Sequence, residues 1–118
     1  MVSGVYGAGL LYIDPAGAIT LPVIPSVAAA IEARIDTDEL AATDDLTSIV
    51  VQGTITTGTL LILRSTNSAR DPRIVDSGAG ASGNLRLVGD VSYTLAAITN
   101  GILLEYTTTN VWTEKARW

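Results

Sequence analysis

Five acidic side chains crowd one short stretch of the chain: Asp36, Asp38, Glu39, Asp44 and Asp45. Oxygen ligands at that density suit a hard divalent cation. Two carboxylates facing each other across a sugar would suit glycoside cleavage, one as acid and the other as base or nucleophile. The spacing does not match a helix–loop–helix calcium loop, however, and turn or capping roles account for every member. Farther on, Arg70 and Arg73 bracket Asp71-Pro72. Guanidinium forks match carboxylates two bonds at a time, so these arginines are candidates for gripping an acidic patch on a neighbouring chain; the alternative is an ordinary solvated loop. Tyr93, Tyr106 and Trp112 are candidates for a sugar-stacking platform, but with four Tyr and two Trp in all, packing in the core or at a subunit seam is favoured. The loop Ser77–Asn84 is glycine-rich, yet it lacks the lysine and the following helix of a phosphate cradle.

These candidates stand in a chain of 118 residues with no His and no Cys. The first absence removes the commonest general base near neutral pH and every Ser–His or Cys–His arrangement; the second removes disulfides, thiolate zinc sites and thiol nucleophiles. The length fits one domain, too small for a deep cleft with a lid or for the long groove of a polysaccharide-cleaving spike. The expectation is a protein that is not an enzyme, with no catalytic, cofactor-binding or metal-ligating residue assigned. The net charge of −5 argues against nucleic acid and against an anionic membrane surface as partners. No apolar run approaches the roughly 18 residues of a membrane span, and the opening residues lack the basic start of a signal peptide. Synthesis and folding in a cytoplasm, with no address signal, is the expectation. Charge is uneven: residues 1–45 carry seven acids against Arg34, a net of −6, and the remainder carries six basic residues against five acids, a net of +1. That asymmetry suits contacts between copies, or simply solubility.

The elements that must position these residues read almost entirely as β. Residues 1–26 hold three of the four prolines and many apolar side chains, with a turn at Asp14-Pro15-Ala16-Gly17 and a possible strand at Ala18–Leu21. They read as an extended arm that packs on its own domain or on a neighbour. Ser26–Ile35 is ambiguous: Val27, Ile31 and Ile35 have helical spacing, but Ile31, Ala33 and Ile35 alternate with Glu32 and Arg34, which favours strand for the second half. Thr43-Asp44-Asp45-Leu46 resembles the first turn of a short helix with Thr43 as its cap. Leu60–Leu63 and Ile102–Tyr106 read as central strands covered on both faces. Gly83 and Gly89 suit backbone angles that side chains oppose, and Trp112 suits a sheet edge or a subunit seam. Short strands at intervals of roughly 8–12 residues indicate a sandwich or small barrel. The expected fold is all-β, an antiparallel jelly-roll-like β-sandwich over residues 27–118 with an extended arm over 1–26.

One resemblance adds to this reading. Ile35-Asp36-Thr37, Ala42-Thr43-Asp44-Asp45-Leu46, Gly58–Leu63, Asn67-Ser68-Ala69-Arg70, Gly83–Leu87 with Gly89-Asp90, and Leu104-Glu105-Tyr106 before Trp112-Thr113-Glu114 occur in an order that resembles a β-module of tailed-bacteriophage virion proteins. The likeness covers about residues 31–118; where that family has an acidic-glycine turn, this chain has Thr107-Thr108-Thr109-Asn110. The resemblance implies a trimeric structural piece with no catalytic motif. A short chain with one domain and an arm then suggests a homotrimeric capsid decoration, or cement, protein on the outer capsid surface. Its partners would be its own copies and the major capsid protein. The alternative is a tail-fibre or spike tip that binds host-surface glycans.

Overall fold

Apolar side chains recur at every second position through much of the chain, and there the backbone runs as strand. The computed structural model describes residues 3–25, 28–77, 84–108 and 110–118. Within them the strands are β1 (Ser3–Tyr12), β2 (Ala18–Leu21), β3 (Ala28–Asp36), β4 (Thr43–Leu46), β5 (Ser48–Val51), β6 (Leu60–Ser65), β7 (Asp71–Ile74), β8 (Leu85–Arg86), β9 (Tyr93–Thr94), β10 (Gly101–Thr108) and β11 (Val111–Arg117). Single 3-10 turns form at Asp38–Leu40 and Val88–Asp90. The fold is all-β, as expected.

Its arrangement differs from the expected antiparallel jelly-roll sandwich. A six-stranded sheet runs in the order β1-β3-β6-β10-β11-β8, β2 pairs with β5, and β4-β7-β9 form a third sheet. The pairs β1–β3, β3–β6, β2–β5, β4–β7 and β8–β11 are parallel, whereas β6–β10, β10–β11 and β7–β9 are antiparallel. Ser3 lies beside Ala28, Ala30 beside Leu60, Ala18 beside Ser48 and Thr43 beside Asp71, so the chain coils back over itself every 25 to 30 residues. The result is a short solenoid-like stack closed on one side by β10 and β11. A half-buried strand alternates apolar and polar residues whichever way its neighbour runs. Direction is set by the connections, and here the corners carry the chain to another sheet before it returns.

One such corner is Asp14–Gly17. The Asp14 carboxylate accepts from the amides of Ala16 and Ala18 at 2.9 and 3.0 Å. Gly17 sits at φ +83°, and a Cβ there would stand 2.8 Å from the Thr47 hydroxyl, so both conformation and space demand glycine. The second corner corrects the expected helix at Thr43–Leu46. That segment is β4, laid beside β7 from Thr43 against Asp71 to Leu46 against Ile74, with Leu46 fully buried. A backbone ladder and a core side chain outweigh the local preference for a helical turn. Capping falls to other groups: Asp44 accepts from the Asp38 amide at 2.7 Å, and the Thr37 hydroxyl donates to the Ala41 carbonyl at 2.5 Å.

The core lies between the sheets and is built mainly of Ile and Leu, including Ile31, Ile35, Leu61, Leu63, Ile102 and Leu104, around the fully buried Trp112. Trp112 is therefore a core plate, not an edge or seam residue. The central strands are covered on one face only: along β6, Leu61, Leu63 and Ser65 are buried while Leu60, Ile62 and Arg64 are half-buried. Of the two placements open to the N-terminal segment, on its own domain or on a neighbour, the described part takes the first. β1 joins β3, β2 joins β5, and Ile13, Ile19, Leu21 and Ile24 belong to the same core. The expected boundary at residues 26 and 27 lies outside the described residues, as does Gly83.

Burial of this kind sets a measurable cost. Ile19→Ala and Leu21→Ala are each expected to reduce unfolding free energy by about 2–5 kcal/mol, and Val23→Ala, at an exposed position, by under about 0.5 kcal/mol. Urea titration followed by tryptophan fluorescence, from the buried Trp112 and the more exposed Trp118, reads both. A chain starting at Ser26 is expected to lose cooperative unfolding.

Candidate functional site

The acidic residues singled out by sequence do not converge on one point. Among the described residues, no three acidic side chains form a group able to hold a metal ion. Asp36, at the end of β3, is buried and accepts from Arg70 Nε and Nη2, each at 2.8 Å, and from the Thr37 amide at 2.8 Å. Asp45, on β4, takes a two-pronged bond from Arg73 at 2.9 and 3.0 Å, at the surface. Asp44 serves the amides of Asp38 and Asp45, and Glu39 stands exposed at φ 50°. The two arginines thus grip carboxylates of their own chain, 28 and 34 residues away in sequence, which accounts for them without a neighbour.

The electrostatics of Asp36 and Glu114 run against a general-acid role for these two carboxyls. The hydrogen bonds from Arg70 hold the Asp36 carboxyl below its ordinary 3.8, and burial pushes the other way. Glu114, buried on β11, is held below its ordinary 4.5 by bonds from Arg117 at 2.5 and 2.6 Å, again against burial. A general acid needs the opposite shift.

The three aromatic candidates separate. Trp112 and Tyr106 pack in the core with ring centroids 4.9 Å apart, and the Tyr106 hydroxyl accepts from the Asn110 amide at 2.8 Å. Tyr93 lies nearer the surface beneath the Arg117 guanidinium, 4.8 Å from the ring centre, and its hydroxyl donates to the Trp118 carbonyl. They form no shared platform. Of the Ser77–Asn84 loop, residues 78–83 lie outside the described part; its ends act as supports. The Asn84 side chain accepts from the Ile49 amide at 2.9 Å and donates to the Ile49 carbonyl at 2.8 Å, continuing the ladder beyond β5 as a backbone would. Nothing in the spacing of Asn84 signals that role, which depends on a residue 35 positions away.

What the arrangement does create is a polar cleft of about 400 Å³ on the β4-β7-β9 sheet, lined by Thr43, Asp45, Asp71, Arg73 and Thr94. The Oδ1 of Asp71, one of the lining residues, is buried and has no hydrogen-bond partner among the described residues. Among the described residues, no helix is long and apolar enough to cross a membrane. Comparison with protein-family models, with curated proteins and with solved structures finds no match for this chain.

The shifted carboxyls give a pH dependence with a definite sign. Both are depressed, so the stability they contribute is complete above their ordinary values and is lost as pH falls through the depressed ones. The thermal midpoint is expected to stay flat from about pH 7 to pH 5 and to fall below about pH 4. Asp36→Asn is expected to lower the midpoint at neutral pH and to flatten the acid limb. Melting curves by circular dichroism test this, and an unchanged acid limb in the variant contradicts it.

Proposed function

We propose that this chain is a structural protein of a tailed-bacteriophage virion, a homotrimeric decoration protein that binds the outer capsid surface and cements it. The observation that carries this reading is β1. Its ten residues lie on the outside of the six-stranded sheet, carry no charge, and leave Val5, Leu10 and Tyr12 from 43% to 58% exposed. A row of apolar side chains on an outer strand suits a protein whose work is to join other chains. The resemblance of residues 31–118 to phage virion modules supplies the setting, the three-fold and the major capsid protein as partner. Assembly takes place in the host cytoplasm and the finished protein resides on the virion.

Copy number in purified particles tests the assignment. Hundreds of copies per particle are expected, with the isolated protein three chains in size by light scattering. A few copies per particle, or a monomer at micromolar concentration, overturns it.

The polar cleft favours a second reading, a tail-fibre or spike tip that holds host-surface glycans. Threonine hydroxyls, a guanidinium and an acceptor lacking a donor suit a polyhydroxylated ligand. This reading expects retention on immobilised host polysaccharide that Asp71→Asn weakens at least several-fold. Equal retention of both proteins removes it.

A further inference from the structure

A strand at the edge of a sheet presents a row of backbone donors and acceptors that only another strand can fully satisfy. Natural edges are normally kept short, charged or interrupted by proline. Most outer strands here follow that rule: β8 and β9 have two residues each, β2 and β5 have four, and β4 carries Asp44 and Asp45. β1 departs from it. It is ten residues long, with no charge and no proline, and among the described residues it pairs with β3 alone. The strand around Gly7 is also clear, since a Cβ built on Gly7 or Gly9 meets nothing within 4 Å.

We propose that the free edge of β1 is where two copies of this chain meet, strand against strand and antiparallel across a two-fold axis. This deepens the assembly reading above by naming the occupant of that edge. Three features favour a second copy. No charge on β1 opposes another on its twin. An antiparallel arrangement sets the two Tyr12 strand ends roughly 30 Å apart at about 3.3 Å per residue, with the acidic corners at Asp14 beyond them at opposite ends of the pair. The exposed Val5 and Leu10 also flank the strand's centre almost symmetrically. In the register that sets Val5 beside Leu10 of the other copy, outer face meets outer face, and the register shift between Gly7 and Gly9 falls at the axis. A contact of one strand is small beside the roughly 1,200–2,000 Å² of a stable interface, so it is concentration-dependent in solution and gains strength on a crowded surface. Being two-fold, it joins one trimer to the next, and three-folds with two-folds close a net over a shell.

The absence of cysteine makes the test clean. Three single-cysteine proteins are compared under mild oxidation at tens of micromolar: Gly7→Cys near the axis, Tyr12→Cys at the strand end, and Thr57→Cys on an exposed loop. Disulfides form where Cα atoms approach within about 7 Å. Gly7→Cys is expected to yield covalent dimers at least tenfold faster than the other two, and adding Leu10→Lys is expected to return it to their rate without moving the melting temperature. Equal rates for all three overturn the proposal, as does faster linking through Tyr12→Cys. As a second measurement, β1 amides of the unaltered protein should exchange hydrogen more slowly as concentration rises; exchange independent of concentration also overturns it. Cross-linking in a protein that sizes as a monomer would sink the three-fold and leave this contact standing. A trimer that does not cross-link would do the reverse.

Discussion

One buried carboxylate ties the successive turns of the stack together. The Asp36 carbonyl accepts from the Ile13 amide at 2.9 Å, which fastens the first turn, and its side chain accepts from Thr37 in its own turn and from Arg70 in the next. A buried pair of this kind contributes little net stability beyond what apolar side chains of the same volume would supply, because both charges must leave water. Its consequence is register. Sliding β3 by one residue against its neighbours would turn Asp36 toward the other face and leave its charge without the Arg70 fork. The columns Leu11–Ile35 and Ile31–Leu61 fall into place once that register is held.

The far side of the stack is closed by different means. β10 lies antiparallel on β6, β11 follows by a tight turn through Asn110 at φ 62°, and β11 is tied to the 88–91 segment where Glu114 accepts from the Val88 amide and Arg117 donates to the Val91 carbonyl. Trp118 and Gly101 exchange backbone hydrogen bonds at 3.0 Å, and a Cβ at Gly101 would stand 2.5 Å from the Trp118 ring, so glycine makes room for the indole. The Arg64 guanidinium covers that ring at 5.5 Å. One margin of the six-stranded sheet is the two-residue β8, and the other is the ten-residue β1, which among the described residues pairs with β3 alone.

Sequence made the strands legible because burial on one face leaves a period of two whatever the partner. Ile31–Ile35 was readable for that reason, whereas Leu60–Leu63 and Ile102–Tyr106 stood out as apolar runs and were expected to be covered on both faces. Strand direction was not readable, because it depends on where each corner sends the chain. Thr43–Leu46 misled because two acids after a threonine favour a helical turn locally, while the ladder to Asp71–Ile74 is a contact across 28 residues. The pairs Asp36–Arg70 and Asp45–Arg73 were visible only as separate clusters, since no local pattern links them. The apolar character of residues 5–24 was plain in sequence, but only the stack shows that Ile13, Ile19 and Leu21 face inward while Val5, Leu10 and Tyr12 do not.

The same long-range pairing resolves the uneven charge of the chain. Glu32, Asp36 and Asp45 from the acidic front bind Arg64, Arg70 and Arg73 from the back, so much of the asymmetry is neutralised inside one molecule. Two of these pairs are partly or largely exposed and contribute little to stability; their effect is to match the turns of the coil in the right order. Charge engaged within the chain is no longer free to steer one copy toward another. What remains at the β1 margin is backbone and uncharged side chains, which recognise a strand by its hydrogen-bonding edge. In the proposed pairing, association would rest on the geometry of that margin more than on attraction between opposite patches.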